Sequence, residues 1–212
     1  MLRFITLFTM GSSILWSYIR KSPHSLPFKF ITRAIWYPTL LITSFNYDII
    51  DDYIILGSIP REPEDLESLK NEGVTNIMSM NEDWELNEVP VSDLCDDEWV
   101  GIERVQFSTP DFNPPSLGTL KSAVDTLVST TYNTDSNVNK KVKYYVHCKA
   151  GKGRSAIVVI CYMMKKNNWD PETAIKFVKE HRNCISLNES QIQSIYEYHS
   201  SNKSQSIFTS IL

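Results

Sequence analysis

Residues 142–165 run from an apolar β-branched stretch, through nine small and basic residues, into a second apolar stretch. The first stretch, 142–146, is the length of a buried strand, and the second, 156–165, the length of a helix. A strand that enters a helix across so short a connection builds an α/β layer, with its ligand site at the strand's C-terminal end. The rest of the chain repeats the alternation. Residues 53–57, 74–80 and 102–107 read as strands. Pro63 opens a helix, with Glu64 and Asp65 in its first turn and Gly73 beyond its end. Ser116 caps a helix to about residue 131, Asp170 and Pro171 start another, and a last helix covers 188–198. Residues 81–85 read as a polar loop. The expected architecture is α/β, a mostly parallel central sheet flanked by helices.

The connection is His147-Cys148-Lys149-Ala150-Gly151-Lys152-Gly153-Arg154-Ser155. Its glycines tolerate the dihedrals that let successive backbone N–H groups point inward, and the following helix aims its positive end at the same point. Such a cup fits a tetrahedral dianion. Arg154 adds a planar fork for two phosphate oxygens, which lysine cannot imitate. A cysteine at the bottom feels the dipole, the amides and the cations, so its thiol ionises below the free value of about 8.5. A thiolate beside a bound phosphate is a nucleophile aimed at phosphorus. Cys95, Cys161 and Cys184 have no arginine six residues on and read as small buried hydrophobes. The nucleotide-binding loop that ends in Gly-Lys-Ser/Thr does not occur.

His-Cys-x5-Arg-Ser is the signature of the cysteine-dependent phosphatases, and the chain resembles their dual-specificity branch. The resemblance implies that His147 orients the loop and helps keep Cys148 ionised, and that Ser155 donates to the sulfur. It implies that Asp111, in Thr109-Pro110-Asp111 and 37 residues before Cys148, is the general acid. An alkoxide needs that proton as it leaves. Within the branch the chain is similar to the mitochondrial PTP-like lipid phosphatases, which hydrolyse phosphatidylglycerophosphate in cardiolipin synthesis. The matching segments are Trp36-Tyr37-Pro38-Thr39-Leu40-Leu41, Ile55-Leu56-Gly57-Ser58-Ile59-Pro60, Met80-Asn81-Glu82-Asp83-Trp84-Glu85 and the signature loop, within about residues 34–200. The implied substrate-binding set is Lys149, Ala150, Gly151, Lys152 and Gly153 together with Glu82, Asp83 and Trp84. A solvated acidic turn is the competing reading of the last three. Where that family has Glu-Glu-Tyr-Glu, Arg-Ser and Arg-Pro-Gly-Gln, this chain has Glu82-Asp83-Trp84-Glu85, Lys152-Gly153 and Asn188-Glu189-Ser190-Gln191. These differences bear on headgroup preference rather than on the reaction. Three further readings share the cup: a protein tyrosine/serine/threonine phosphatase, a phosphoinositide phosphatase, and a phosphate-binding module without activity.

Charge divides the chain. Residues 1–47 hold five of the 21 basic residues and no acidic one; residues 48–212 hold the other 16 against all 25 acidic ones, a net of −9. A basic, hydroxylated, acid-poor leader describes a mitochondrial transit or anchor region, against a secretory signal or a plain membrane-associated arm. The stretch 34–47 reads either as lying at a bilayer surface with Trp36 and Tyr37 at headgroup depth, or as packing on the domain. The expected organisation is a targeting arm at 1–47, a phosphatase domain at 48–200 and a polar tail at 201–212. The resemblance implies a location at the inner mitochondrial membrane, matrix side, and an anionic phospholipid substrate as partner. No metal, cofactor or nucleic acid is expected: the net charge is −4 and the four cysteines make no zinc-type pair. With 42% apolar and 22% charged residues the composition excludes a disordered chain or a coiled-coil rod.

Overall fold

A computed structural model describes residues 33, 34, 36, 38, 44–89, 101–132 and 142–209. Tyr37, Cys95 and most of the basic arm lie outside the described residues. Five short strands form one sheet: β1 (Tyr47–Ile49), β2 (Ile54–Gly57), β3 (Asn76–Ser79), β4 (Glu103–Gln106) and β5 (Tyr144–His147), in the order β1-β2-β5-β3-β4. All neighbours are parallel except the antiparallel edge pair β1–β2. The sheet is therefore mostly parallel, and β5 at its centre carries the signature loop at its C-terminal end. Strand β1 was not visible in the sequence pattern, and it begins at Tyr47, the last residue of the basic arm.

Side-chain alternation sorts the strands onto two cores. Ile54 and Leu56 of β2, Met78 of β3 and Tyr144 and Val146 of β5 face one side. There they meet α3 (Leu117–Tyr132), α4 (Arg154–Asn167), α5 (Pro171–His181) and α6 (Glu189–Thr209). Ile55, Ile77 and Tyr145 face the other side, against Leu66 and Leu69 of α1 (Pro63–Asn71). Helix α4 is buried at every position from Arg154 to Met164, so the positive end of its dipole is shielded from solvent where it meets the loop.

Local chemistry accounts for the helix starts. Glu62 and Asp65 form a reciprocal capping box at α1 with Pro63 in the first turn. Asp170 accepts from Thr173 N at 2.8 Å to start α5, and Ser116 accepts from Thr119 N at 3.1 Å to start α3.

Two expectations change. Residues 81–85 are not a polar loop: Asp83–Leu86 form a short helix, α2. Glu85 accepts from Glu82 N at 2.9 Å and is fully buried, so its charge is spent inside the protein rather than in solvent. Helix α6 also runs on to Thr209, into the stretch assigned to a polar tail. Of the two readings of residues 34–47, Trp36 takes the second. It is 1% exposed and packs into the core that holds α1, so it does not sit at headgroup depth.

Gly57 ends β2 where no side chain fits. A Cβ there would lie 2.2 Å from Tyr145 Oη and 2.8 Å from Asn46 O. The tyrosine cannot simply swing away, because its hydroxyl is bonded to Ser58 O. Gly57→Ala is expected to cost about 1–3 kcal/mol of stability, as overpacking does. Urea unfolding checks this; an unchanged midpoint would mean that β2 and Tyr145 shift freely.

Candidate active site

The signature loop is shaped by where its carbonyls go. Lys149 O accepts from Ile59 N, Lys152 O from Ser186 N and Gly153 O from Ile157 N. Arg182 takes two more, donating from Nε to Gly151 O at 2.9 Å and from Nη2 to Ala150 O at 3.1 Å. With five successive carbonyls engaged outward, the intervening N–H groups are left for the concave side. Arg182 is itself buried and held by Asp48 and Asn46 at 2.6 Å each. Gly151 sits at φ +66°, and a Cβ there would lie 2.4 Å from Gly57 O, so only glycine fits the close approach of the two loops.

Cys148 lies at the bottom, 4% exposed. Ser155 Oγ donates to its sulfur at 3.2 Å. Burial pushes the thiol up, but the Arg154 guanidinium and the Ser155 hydroxyl and amide outweigh it, and the net shift is downward. The environment of His147 bears on how it could support Cys148, by position rather than by charge. Burial brings its imidazole down to about 4, so it is neutral at pH 7 and lends Cys148 no positive charge. Its ring stacks on Tyr145, and its carbonyl accepts from Met80 N at 2.9 Å, which anchors the strand end.

Arg154 is 1% exposed. Its Nη1 donates to Glu85 Oε2 at 2.6 Å and to Thr109 O at 2.9 Å; its Nη2 donates to Glu85 Oε1 at 2.9 Å. Asp111 Oδ1 lies 3.0 Å from Nη2. Burial pushes the Glu85 carboxyl up, but Arg154, Glu82 N and Asn81 hold it below the usual range. Glu85 is thus the carboxylate the buried guanidinium requires, and it was not among the residues singled out from the sequence. The three that were lie around it. Glu82 accepts from Trp84 Nε1 at 3.1 Å, Asp83 is exposed and accepts from Gln106 at 2.8 Å, and Trp84 is half-buried.

Lys149 is half-buried and Lys152 is exposed, so the loop carries one cation at its side and one at its rim. Asp111 stands on a tied loop. Asn113 Nδ2 donates to Asp111 O at 3.0 Å, and Asn188 Nδ2 donates to Phe112 O at 2.9 Å. Phe112 sits at φ +61°, a costly conformation for an aromatic residue that the two asparagines help hold. Cys161 is buried and its thiol is pushed well up by burial alone, the opposite environment from that of Cys148.

Residues 67–201 match the model of the dual specificity phosphatase catalytic domain. The chain belongs to the dual specificity phosphatase family. It is a cysteine phosphatase that hydrolyses phosphate esters. Its relatives include the rat "Phosphatidylglycerophosphatase and protein-tyrosine phosphatase 1", 32% identical over 191 residues that span 80% of this chain and 90% of the rat protein. Another is the Arabidopsis thaliana "Phosphatidylglycerophosphate phosphatase PTPMT1", 33% identical over 79% of this chain and 49% of the plant protein. Among solved structures, the crystal structure of PTPMT1 in complex with PI(5)P superposes with a TM-score of 0.65 at 29% identity, over 76% of this chain and 98% of that one.

The ionisation of Cys148 is checked by the pH dependence of its alkylation by iodoacetamide. The midpoint is expected below the free-thiol value of about 8.5. Ser155→Ala removes a donor that favours the thiolate, so its midpoint should lie about one pH unit or more higher. A Ser155→Ala profile that overlays the wild type would remove the hydroxyl from the account.

Proposed function

We propose that the chain removes the phosphate monoester of an anionic phospholipid headgroup, phosphatidylglycerophosphate before others, at a mitochondrial membrane. The observation that carries this reading is the lysine pair of the loop. Lys149 and Lys152 surround a cup already built for one phosphate, and a headgroup with a second phosphate places further negative charge where they stand. The names of the rat and Arabidopsis relatives support the same substrate. The basic, acid-free leader supports the location. The rat relative's name also includes a protein-tyrosine phosphatase, and phosphotyrosine is the second reading.

The geometry of the site supports the following reaction. Phosphate oxygens take the inward amides and two N–H groups of Arg154: Nε, which has no partner among the described residues, and Nη2. Asp111, displaced from Nη2, turns to the bridging oxygen and protonates the leaving alcohol as Cys148 Sγ bonds to phosphorus. Water then attacks the phosphocysteine with Asp111 as base. The Ser155 hydroxyl stabilises the thiolate as it departs. Glu85 keeps Nη1 and one edge of Nη2 throughout, so the fork does not reorient between steps.

Asp111→Asn is expected to lose about 10²–10⁴-fold on an alkyl phosphate and far less on p-nitrophenyl phosphate, whose oxide leaves without a proton. Equal losses on the two would move the acid elsewhere. For the substrate, the full chain is assayed on vesicles containing phosphatidylglycerophosphate, on vesicles containing a phosphoinositide and on a phosphotyrosine peptide. The phosphatidylglycerophosphate vesicles should have the highest kcat/KM, and Lys149→Ala/Lys152→Ala should narrow the gap to the peptide. Preference for the peptide would favour the second reading.

A further inference from the structure

Trp36 lies outside residues 67–201, the part that matches the family's catalytic domain, yet it reaches the site. Its indole is 1% exposed. Nε1 donates to Glu85 Oε1 at 3.2 Å. That oxygen also accepts from Arg154 Nη2 at 2.9 Å and from Asn81 Nδ2 at 3.0 Å. The ring meets Trp84 edge-on with centroids 5.8 Å apart, and Lys149 Nζ stands 5.4 Å from its centroid. One residue of the N-terminal segment therefore touches both the anchor of the catalytic arginine and the cation next to the nucleophile.

Glu85 has two oxygens to orient. Oε2 is fixed by Arg154 Nη1 and Glu82 N. Oε1 is fixed by donors arriving from three separate elements, and Trp36 supplies one of them. A buried carboxylate surrounded in this way has one rotamer open to it, and removing a donor leaves it under-bonded and freer to turn. Its partner Arg154 then loses the fixed plane from which it meets phosphate. The aromatic face adds a second effect, because a cation held over an indole is attracted to the ring and restrained there.

We infer that Trp36 is a positioning residue of the phosphatase. It sets the orientation of Glu85, and through it the Arg154 guanidinium, and it seats Lys149 beside the cup. Trp36 itself is thus part of the active site, although it precedes the matched catalytic domain. The inference depends on the phosphatase reaction and is independent of which ester is the natural substrate.

The test uses the full chain and p-nitrophenyl phosphate, so neither vesicles nor targeting enters. Trp36→Phe keeps an aromatic ring for Trp84 and Lys149 but has no N–H. Its kcat/KM is expected to fall about 10-fold or more, from the lower end of the range for one hydrogen bond to a charged group upward, and the inhibition constant of inorganic phosphate should rise with it. The decisive readout is the same substitution in a Glu85→Ala background, where Trp36 has no carboxylate to orient and Trp36→Phe should change nothing further. If the Glu85→Ala chain does not fold, Glu85→Gln takes its place, and the further loss should shrink to less than half on a logarithmic scale. Unchanged kcat/KM in Trp36→Phe, or a loss of the same size in both backgrounds, overturns the inference.

Discussion

A guanidinium cannot be taken out of water alone. Arg154 is buried at the floor of the site, and an unpaired ion there would cost several kcal/mol. The bidentate pair with Glu85 meets that requirement, and much of the local structure serves the pair. Helix α2 is a single turn whose main product is a buried carboxylate at Glu85. Asn81, Glu82 N and Trp36 saturate that carboxylate. The arginine then stands in one plane, with the guanidinium edge that faces the cup left to meet phosphate.

The same economy appears in the loop itself. Backbone amides attract an anion only while their carbonyls are engaged elsewhere, and here the carbonyls bind Ile59, Arg182, Ser186 and α4. Arg182 comes from the end of α5 and is tied in turn to Asp48 and Asn46 beside β1. The edge strand and α5 thus brace the cup from behind. The electrostatic result is divided between two cysteines of one protein. Cys148, with Arg154 and Ser155 at hand, is lowered, and Cys161, thirteen residues on and with burial alone, is raised.

How much of this was legible in the sequence depended on distance along the chain. The signature loop, the first turn of α1 at Pro63 and the caps of α3 and α5 are local patterns, and they lie where the sequence placed them. The partners of the two buried arginines are not local. Glu85 meets Arg154 across 69 positions, and Arg182 meets Gly151 across 31. No periodicity marks a lone carboxylate as buried, and a five-residue stretch with three carboxylates, Glu82, Asp83 and Glu85, reads as a solvated turn. The capping box of Glu82 and Glu85 is seen only in the structure, because glutamate is not a residue that marks an N-cap in a sequence. Strand β1 has three residues, too few for alternation to register. Trp36 was ambiguous for a different reason: an aromatic residue in an uncharged stretch suits a bilayer surface and a protein core equally well, and its burial in the α1 core and its hydrogen bond to Glu85 separate the two.

The proposed reaction runs through a covalent bond between Cys148 and phosphorus, made in a cup whose arginine is held by Glu85. The direct measurement is a rapid acid quench of the full chain during turnover of a ³²P-labelled phosphate ester, followed by proteolysis and peptide mapping. Label is expected on the peptide that contains Cys148, released by iodine as an S–P bond is and an O–P ester is not, absent in Cys148→Ser and much reduced in Glu85→Gln. Turnover with no label on that peptide, or label that persists in Cys148→Ser, would contradict it.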